Sequence, residues 1–289
     1  MKAGFFFQNS VNIGLLQTIA DENSLELVGA FFQSNDESNS SDPKIYESED
    51  ELLVQIEVAY IFYNGDNYFD FAAKALKRGV NIFLASLPDY SHSSLVEINE
   101  LSTEIGVPIG FGCAGEILVK QDEIIGNCFM LELTRDTGKA TSDEVFRRML
   151  IYDIASFVRI KPYGMRKLRV NGLPLFNQKP TVINLRFEYD NSSIIASSIA
   201  RVDEDEKCVL RFFSGDDGYF KDLSINSIAF ESKILESPQL ILSDEGFIAN
   251  LGIYSQEIIS KSPLSFGIEN AIETFNLFET IEERLNPFS

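Results

Sequence analysis

Tryptophan is absent from this 289-residue chain, histidine occurs once and cysteine three times. With His92 alone, a multi-histidine metal site within one chain is excluded. Cys113, Cys128 and Cys208 stand at no metal-ligand or redox spacing, so no metal is expected. An odd number of scattered thiols suits a reducing compartment. Positive charge is scarce: 24 Lys and Arg stand against 44 Asp and Glu, a net charge of −20. That field repels nucleic acid and anionic membrane, where phosphate contacts dominate binding. Long apolar runs are missing too, and none approaches the length that spans a bilayer. The aromatic run after Met1-Lys2 breaks at Gln8-Asn9-Ser10, too soon for a signal-peptide core. A soluble, cytoplasmic protein is expected.

Apolar residues make up 45% of the chain, enough to fill one large core or two modest ones. The organising stretch is Val58 to Pro88. Val58 to Tyr63 is a short apolar run that ends at the Asn64-Gly65-Asp66 turn signal. Tyr68, Phe71, Ala72, Ala75 and Leu76 then recur at helical spacing, and Gly79 stands where a helix C-cap needs it. A second apolar run, Val80 to Leu84, follows at once. Two buried strands joined by a helix predict a right-handed parallel crossover in a sheet covered on both faces.

The same alternation runs on either side of this stretch. Ala3 to Phe7 and Leu25 to Phe32 read as strands around a helix carrying Ile13, Leu16 and Ile19. Gln33 to Pro43 is a polar loop. Ser48 and Glu51 have capping-box spacing before a helix over Glu49 to Ile56. A helix over Ser93 to Ile105 and a strand from Ile109 complete a parallel α/β domain, residues 1–113. The pattern changes after Cys113. A helix bearing Val145, Met149, Asp153 and Phe157 precedes several long strands. Thr181 to Tyr189 and Ser193 to Val202 are joined by the hairpin signal Asp190-Asn191-Ser192. Helices over roughly Gly246 to Lys261 and Gly267 to Leu285 close the chain. Residues 114–289 therefore read as an α+β domain with an open, mostly antiparallel sheet.

Several stretches in this order resemble the Gfo/Idh/MocA family of oxidoreductases, named for glucose–fructose oxidoreductase and inositol dehydrogenase. They are Tyr46 to Leu53, Ala75-Leu76 to Gly79 with Val80-Asn81-Ile82-Phe83, Ile125-Gly126, Tyr152-Asp153-Ile154, and Ser265 to Ala271. No single one is specific; their order and spacing over nearly the whole chain carry the resemblance. It implies an N-terminal Rossmann domain for NAD or NADP and a second domain whose sheet serves sugar binding and homo-oligomer formation.

Placed on the family's pattern, the functional positions are mostly substituted. The dinucleotide fingerprint G-x-G-x-x-G falls on Asn9, Val11 and Gly14, so only the packing glycine is kept. Phe32 stands where the family has the ribose acid, and Asn64 is a further cofactor-facing position. Ser86, or Leu87 one residue on, takes the place of the catalytic lysine. Arg148 and Tyr152 take those of the second domain's aspartate and histidine. Oxidising an alcohol needs a base within hydrogen-bond reach of the hydroxyl. Replacement candidates are His92, with Asp89 to orient it, and Tyr152 with Asp153. The plainer alternatives are an exposed histidine in a first helix turn and a tyrosine packed in the core. Ser86 and Arg148 are candidate substrate contacts; the alternatives are a small loop residue and an arginine paired with acidic neighbours. Three functions follow. The first is a degenerate, non-catalytic protein (a pseudoenzyme) binding a protein partner or small polar ligand. The second is a divergent NAD(P)-dependent oxidoreductase of a sugar or polyol. The third is a structural subunit of an oligomer.

Overall fold

The computed structural model describes residues 1–8, 11, 13–33, 44–62, 67–85, 91–112, 128–138, 141–160, 164–173, 180–203, 207–214, 219–225 and 245–285. Asn9, the polar loop 34–43, Asn64, Ser86, Asp89, Cys113 and Ile125-Gly126 lie outside the described residues. The helices in chain order are α1 (Ile13–Glu22), α2 (Glu49–Leu53), α3 (Asn67–Lys77), α4 (His92–Ile105), α5 (Asp143–Ile160), α6 (Glu245–Ser260) and α7 (Ile268–Leu285). The chain forms two compact units. One is Met1–Ala114 with Ser237–Ile272, and the other is Gly115–Glu236 with Glu273–Ser289. A single cut near Cys113 therefore does not describe the molecule, because residues 237–272 return to the first unit.

Six strands build the first unit: β1 (Lys2–Phe7), β2 (Glu26–Phe32), β3 (Ile45–Tyr46), β4 (Val58–Phe62), β5 (Asn81–Leu84) and β6 (Ile109–Phe111). Every pair is parallel, and the spatial order is β3-β2-β1-β4-β5-β6, a doubly wound sheet. Helix α3 follows from its apolar stripe, and all five predicted stripe residues are buried. Gly79, at φ 73°, closes it in a Schellman motif. Gly79 N donates to Leu76 O and Val80 N to Ala75 O, at 2.8 and 3.1 Å. Helix α2 is shorter than its sequence spacing predicts and stops at Leu53. Ser48 caps it, but its hydroxyl accepts from Asp50 N at 3.2 Å.

Register explains the core. Phe5 pairs with Tyr60, and Phe7 with Phe62 on one side and Phe32 on the other, so their rings line one sheet face. Phe5 and Tyr60 stack at 4.9 Å, while Tyr60 and Phe83 meet at 5.6 Å. Phe6 points the other way, onto Phe71 of α3 at 4.5 Å. Helix α6 covers the Phe5 face. Its Tyr254 packs on Phe83 at 5.1 Å and donates its hydroxyl to the Ile82 carbonyl at 2.7 Å. Ser255 Oγ donates to the Leu251 carbonyl and accepts from Tyr60 Oη at 2.6 Å.

The second unit holds β7 (Cys128–Asp136), β8 (Met165–Leu173), β9 (Val182–Tyr189), β10 (Ile194–Ala200), β11 (Lys207–Ser214) and β12 (Tyr219–Ile225). Their order is β12-β11-β7-β10-β9-β8. Only β7 and β10 run parallel; the other described pairs are antiparallel. Alternation along β9 and β10 buries Ile183, Leu185, Phe187, Ile195 and Ile199 on one face. There Phe187 meets Phe157 of α5 at 5.6 Å, and Arg284 of α7 donates to the Leu168 carbonyl at 2.5 Å. The opposite face is half-exposed.

Candidate functional site

In an open parallel sheet, ligands bind beyond the carboxyl ends of the strands where the strand order reverses. Here that point lies between β1 and β4. The strand ends are Phe7, Phe32 and Phe62. Their rings form one stack, with Phe7 to Phe62 at 4.6 Å and Phe7 to Phe32 at 5.7 Å, and interplanar angles of 23° and 20°. Phe32 is 6% exposed. Edge-shifted stacking of this kind adds about 0.5–1.5 kcal/mol per pair to the burial of the rings. The residue at the ribose-acid position is therefore a structural ring packed into the sheet end.

After β1 in the chain, Val11 is half-buried and Gly14 is exposed in the first turn of α1, its carbonyl accepting from Thr18 Oγ at 3.2 Å. The backbone N–H of Gln33 donates to the Phe7 carbonyl at 2.9 Å, tying β2 to β1 one residue past the ring stack. His92 is the first residue of α4 and half-buried. Ser91 caps that helix, its hydroxyl accepting from Ser94 N at 3.2 Å, so the imidazole stands in the first turn among serines. Asn9, Asn64 and Ser86 are not among the described residues.

The second-unit candidates lie on α5. Every residue of this helix from Met149 to Ile160 is buried, Tyr152 included. Arg148 pairs with Glu144 one turn earlier at 3.4 Å. Asp153, 1% exposed, is gripped by Arg135 of β7, which is 3% exposed. Arg135 Nη2 donates at 2.7 Å, and Nε reaches both carboxylate oxygens at 3.0 and 3.2 Å. Burial pushes the Asp153 carboxyl above the usual carboxylate range, and the adjacent guanidinium pulls it back down. The pair holds α5 to the sheet, and Asp153 spends its acceptors on Arg135. Arg135 is the residue that sequence reasoning missed. Its signal is parity, since it shares the inward set of β7 with Leu131 and Leu133, opposite a helix whose buried stretch holds one carboxylate.

The described residues contain no group of three or more His, Cys, Asp or Glu able to hold a metal ion. They also contain no helix long and apolar enough to cross a membrane.

No protein-family model matches this sequence, and neither does any curated protein. Solved structures match along its whole length. The UDP-N-acetylglucosamine 3-dehydrogenase GnnA of Acidithiobacillus ferrooxidans is 13% identical with a TM-score of 0.74, covering 100% of this chain and 98% of its own. A dehydrogenase, MviM, of Clostridium difficile is 15% identical with a TM-score of 0.75, over 98% and 99% of the two chains. A myo-inositol dehydrogenase of Corynebacterium glutamicum is 14% identical with a TM-score of 0.75, over 98% and 96%. At such identities the likeness is one of fold.

Proposed function

We propose that this chain, which has the fold of Gfo/Idh/MocA-type dehydrogenases from end to end, is a binding protein for a partner or small polar ligand and not a working dehydrogenase. The stack of Phe7, Phe32 and Phe62 carries this reading. A dinucleotide fold recognises the adenosine ribose with a side chain at the end of its second strand. Phe32 offers no acceptor there, and its ring is packed against Phe7. Val11 sets a branched side chain where the pyrophosphate needs bare backbone. These residues do not fit NAD or NADP.

The second unit supports the same reading. Tyr152 and Arg148, at the positions of the family's catalytic pair, are respectively buried and ion-paired. Neither is set up to take a proton from a sugar hydroxyl. The test is calorimetry with NAD(H) and NADP(H) on purified protein, with thermal shift as a control. No heat and no stabilisation are expected at millimolar cofactor. A micromolar dissociation constant overturns the proposal and makes the chain a divergent oxidoreductase, with His92 and Tyr152 the first residues to replace in a sugar and polyol screen.

A further inference from the structure

The second unit contains a cavity of about 260 Å³ between the start of α5 and the last turns of α7. Its apolar lining is Phe146, Leu150, Ile183, Phe278 and Leu285. Two arginines complete the wall. Arg147 lies over the Phe278 ring at 4.8 Å and donates Nε and Nη2 to Glu282 at 2.9 and 3.0 Å. Arg201 lies over the Phe146 ring at 5.1 Å, donating Nη1 to Asp143 at 2.5 Å and Nη2 to the Pro180 carbonyl at 3.3 Å. Each guanidinium is fixed by a ring on its face and a carboxylate at its edge.

We propose that this cavity binds a neutral aromatic molecule bearing a carbonyl acceptor, of the aryl amide class. Size sets the ring. A dry cavity of ~150 Å³ holds benzene, so this one takes a ring with a short substituent. The apolar lining, two of its side chains aromatic, suits the face of that ring. Charge sets the neutrality. Glu282 and Asp143 line the cavity together with the arginines they match, so an anionic ligand meets both carboxylates and adds to a net charge of −20. The donors set the acceptor. Arg147 Nη1 and Arg201 Nε make no hydrogen bond among the described residues. A carbonyl oxygen takes such a hydrogen bond without bringing charge. The cavity belongs to the second unit alone, and the inference is independent of what the first sheet binds.

Benzamide is the probe, followed by saturation-transfer NMR on the full chain with benzoate as the charged control. For about ten non-hydrogen atoms, ordinary ligand efficiency places the dissociation constant at about 1 mM. Benzamide should show transfer at its ring protons, and benzoate should be weaker by about tenfold. Leu150→Phe, which puts a larger side chain into the space the ligand ring needs, should weaken the signal. Should Leu150→Phe fail to fold, Arg147→Ala decides, its side chain being 57% exposed. A loss of about tenfold supports the site, and unchanged affinity overturns it. Absent transfer in the wild type, or benzoate binding as tightly as benzamide, overturns it as well.

Discussion

Taking Asp153 and Arg135 out of water costs several kcal/mol per ion, and their three short hydrogen bonds return much of it. Removing one partner leaves the other charged and alone. Asp153→Asn should therefore destabilise by about 3–5 kcal/mol in urea melts, while Arg135→Met with Asp153→Leu should restore most of that loss. The sign of the pH effect also follows. Burial raises the folded-state pKa of Asp153, so between the unfolded and the folded values the native state holds a proton that the unfolded chain has released, and above the folded value the carboxylate is ionised against Arg135. Its contribution to stability is fully present below the unfolded carboxylate value and is lost as pH rises through the folded value. Measured against pH in the acid range, that slope should disappear in Asp153→Asn. Sequence alone identified Asp153 as a polar residue of interest and missed its partner. An arginine in a strand is ordinarily read as outward-facing, and only the strand's parity contradicts that here.

Helix α6 is held to the parallel sheet by close approach as much as by hydrogen bonds. A Cβ on Gly110 of β6 would lie 2.3 Å from the Tyr254 ring, a rigid neighbour. Gly110→Ala should destabilise by about 1–3 kcal/mol through overpacking, measured by chemical denaturation. Adding Tyr254→Leu, which removes the ring, should recover part of it. A neutral Gly110→Ala would show that the helix shifts freely and that its docking is loose. Elements of this kind were legible in the sequence where local chemistry fixes them. The stripe and terminal glycine gave α3, and Asp190-Asn191-Ser192 gave the β9–β10 hairpin, in which Ser192 has φ 64°. What the sequence of α6 withholds is which sheet the helix covers. An amphipathic helix announces a buried face without naming its partner. The ring at Phe32 was legible as a substitution, but not as one layer of a stack. That depends on parallel register between three strands.

At the scale of the molecule, a chain of net charge −20 repels copies of itself over most of its surface. The half-exposed face of the second sheet is different. Arg169 and Arg186 there share Glu188 at 3.0 and 3.1 Å, and Arg211 faces Glu132 at 3.5 Å. Its charges largely cancel, and we propose that a second copy docks on this face, joining chains through their C-terminal sheets. Sedimentation should give a mass above 32.5 kDa for the wild type and the monomer mass for Ala196→Lys, which sets a further cation opposite Arg186 at the centre of the face. A wild type that sediments as a monomer rejects the association.

The discontinuous first unit also has a consequence in time. Strand β6 ends at Phe111, yet the helix that covers the Phe5, Tyr60 and Phe83 face begins at Glu245. At ~5–20 residues per second, a ribosome needs on the order of ten seconds to make the chain between them. A sheet that forms in that interval stands with a row of aromatic rings uncovered. Its safety in the cell is then set by the pace of synthesis and by whatever shelters the nascent chain.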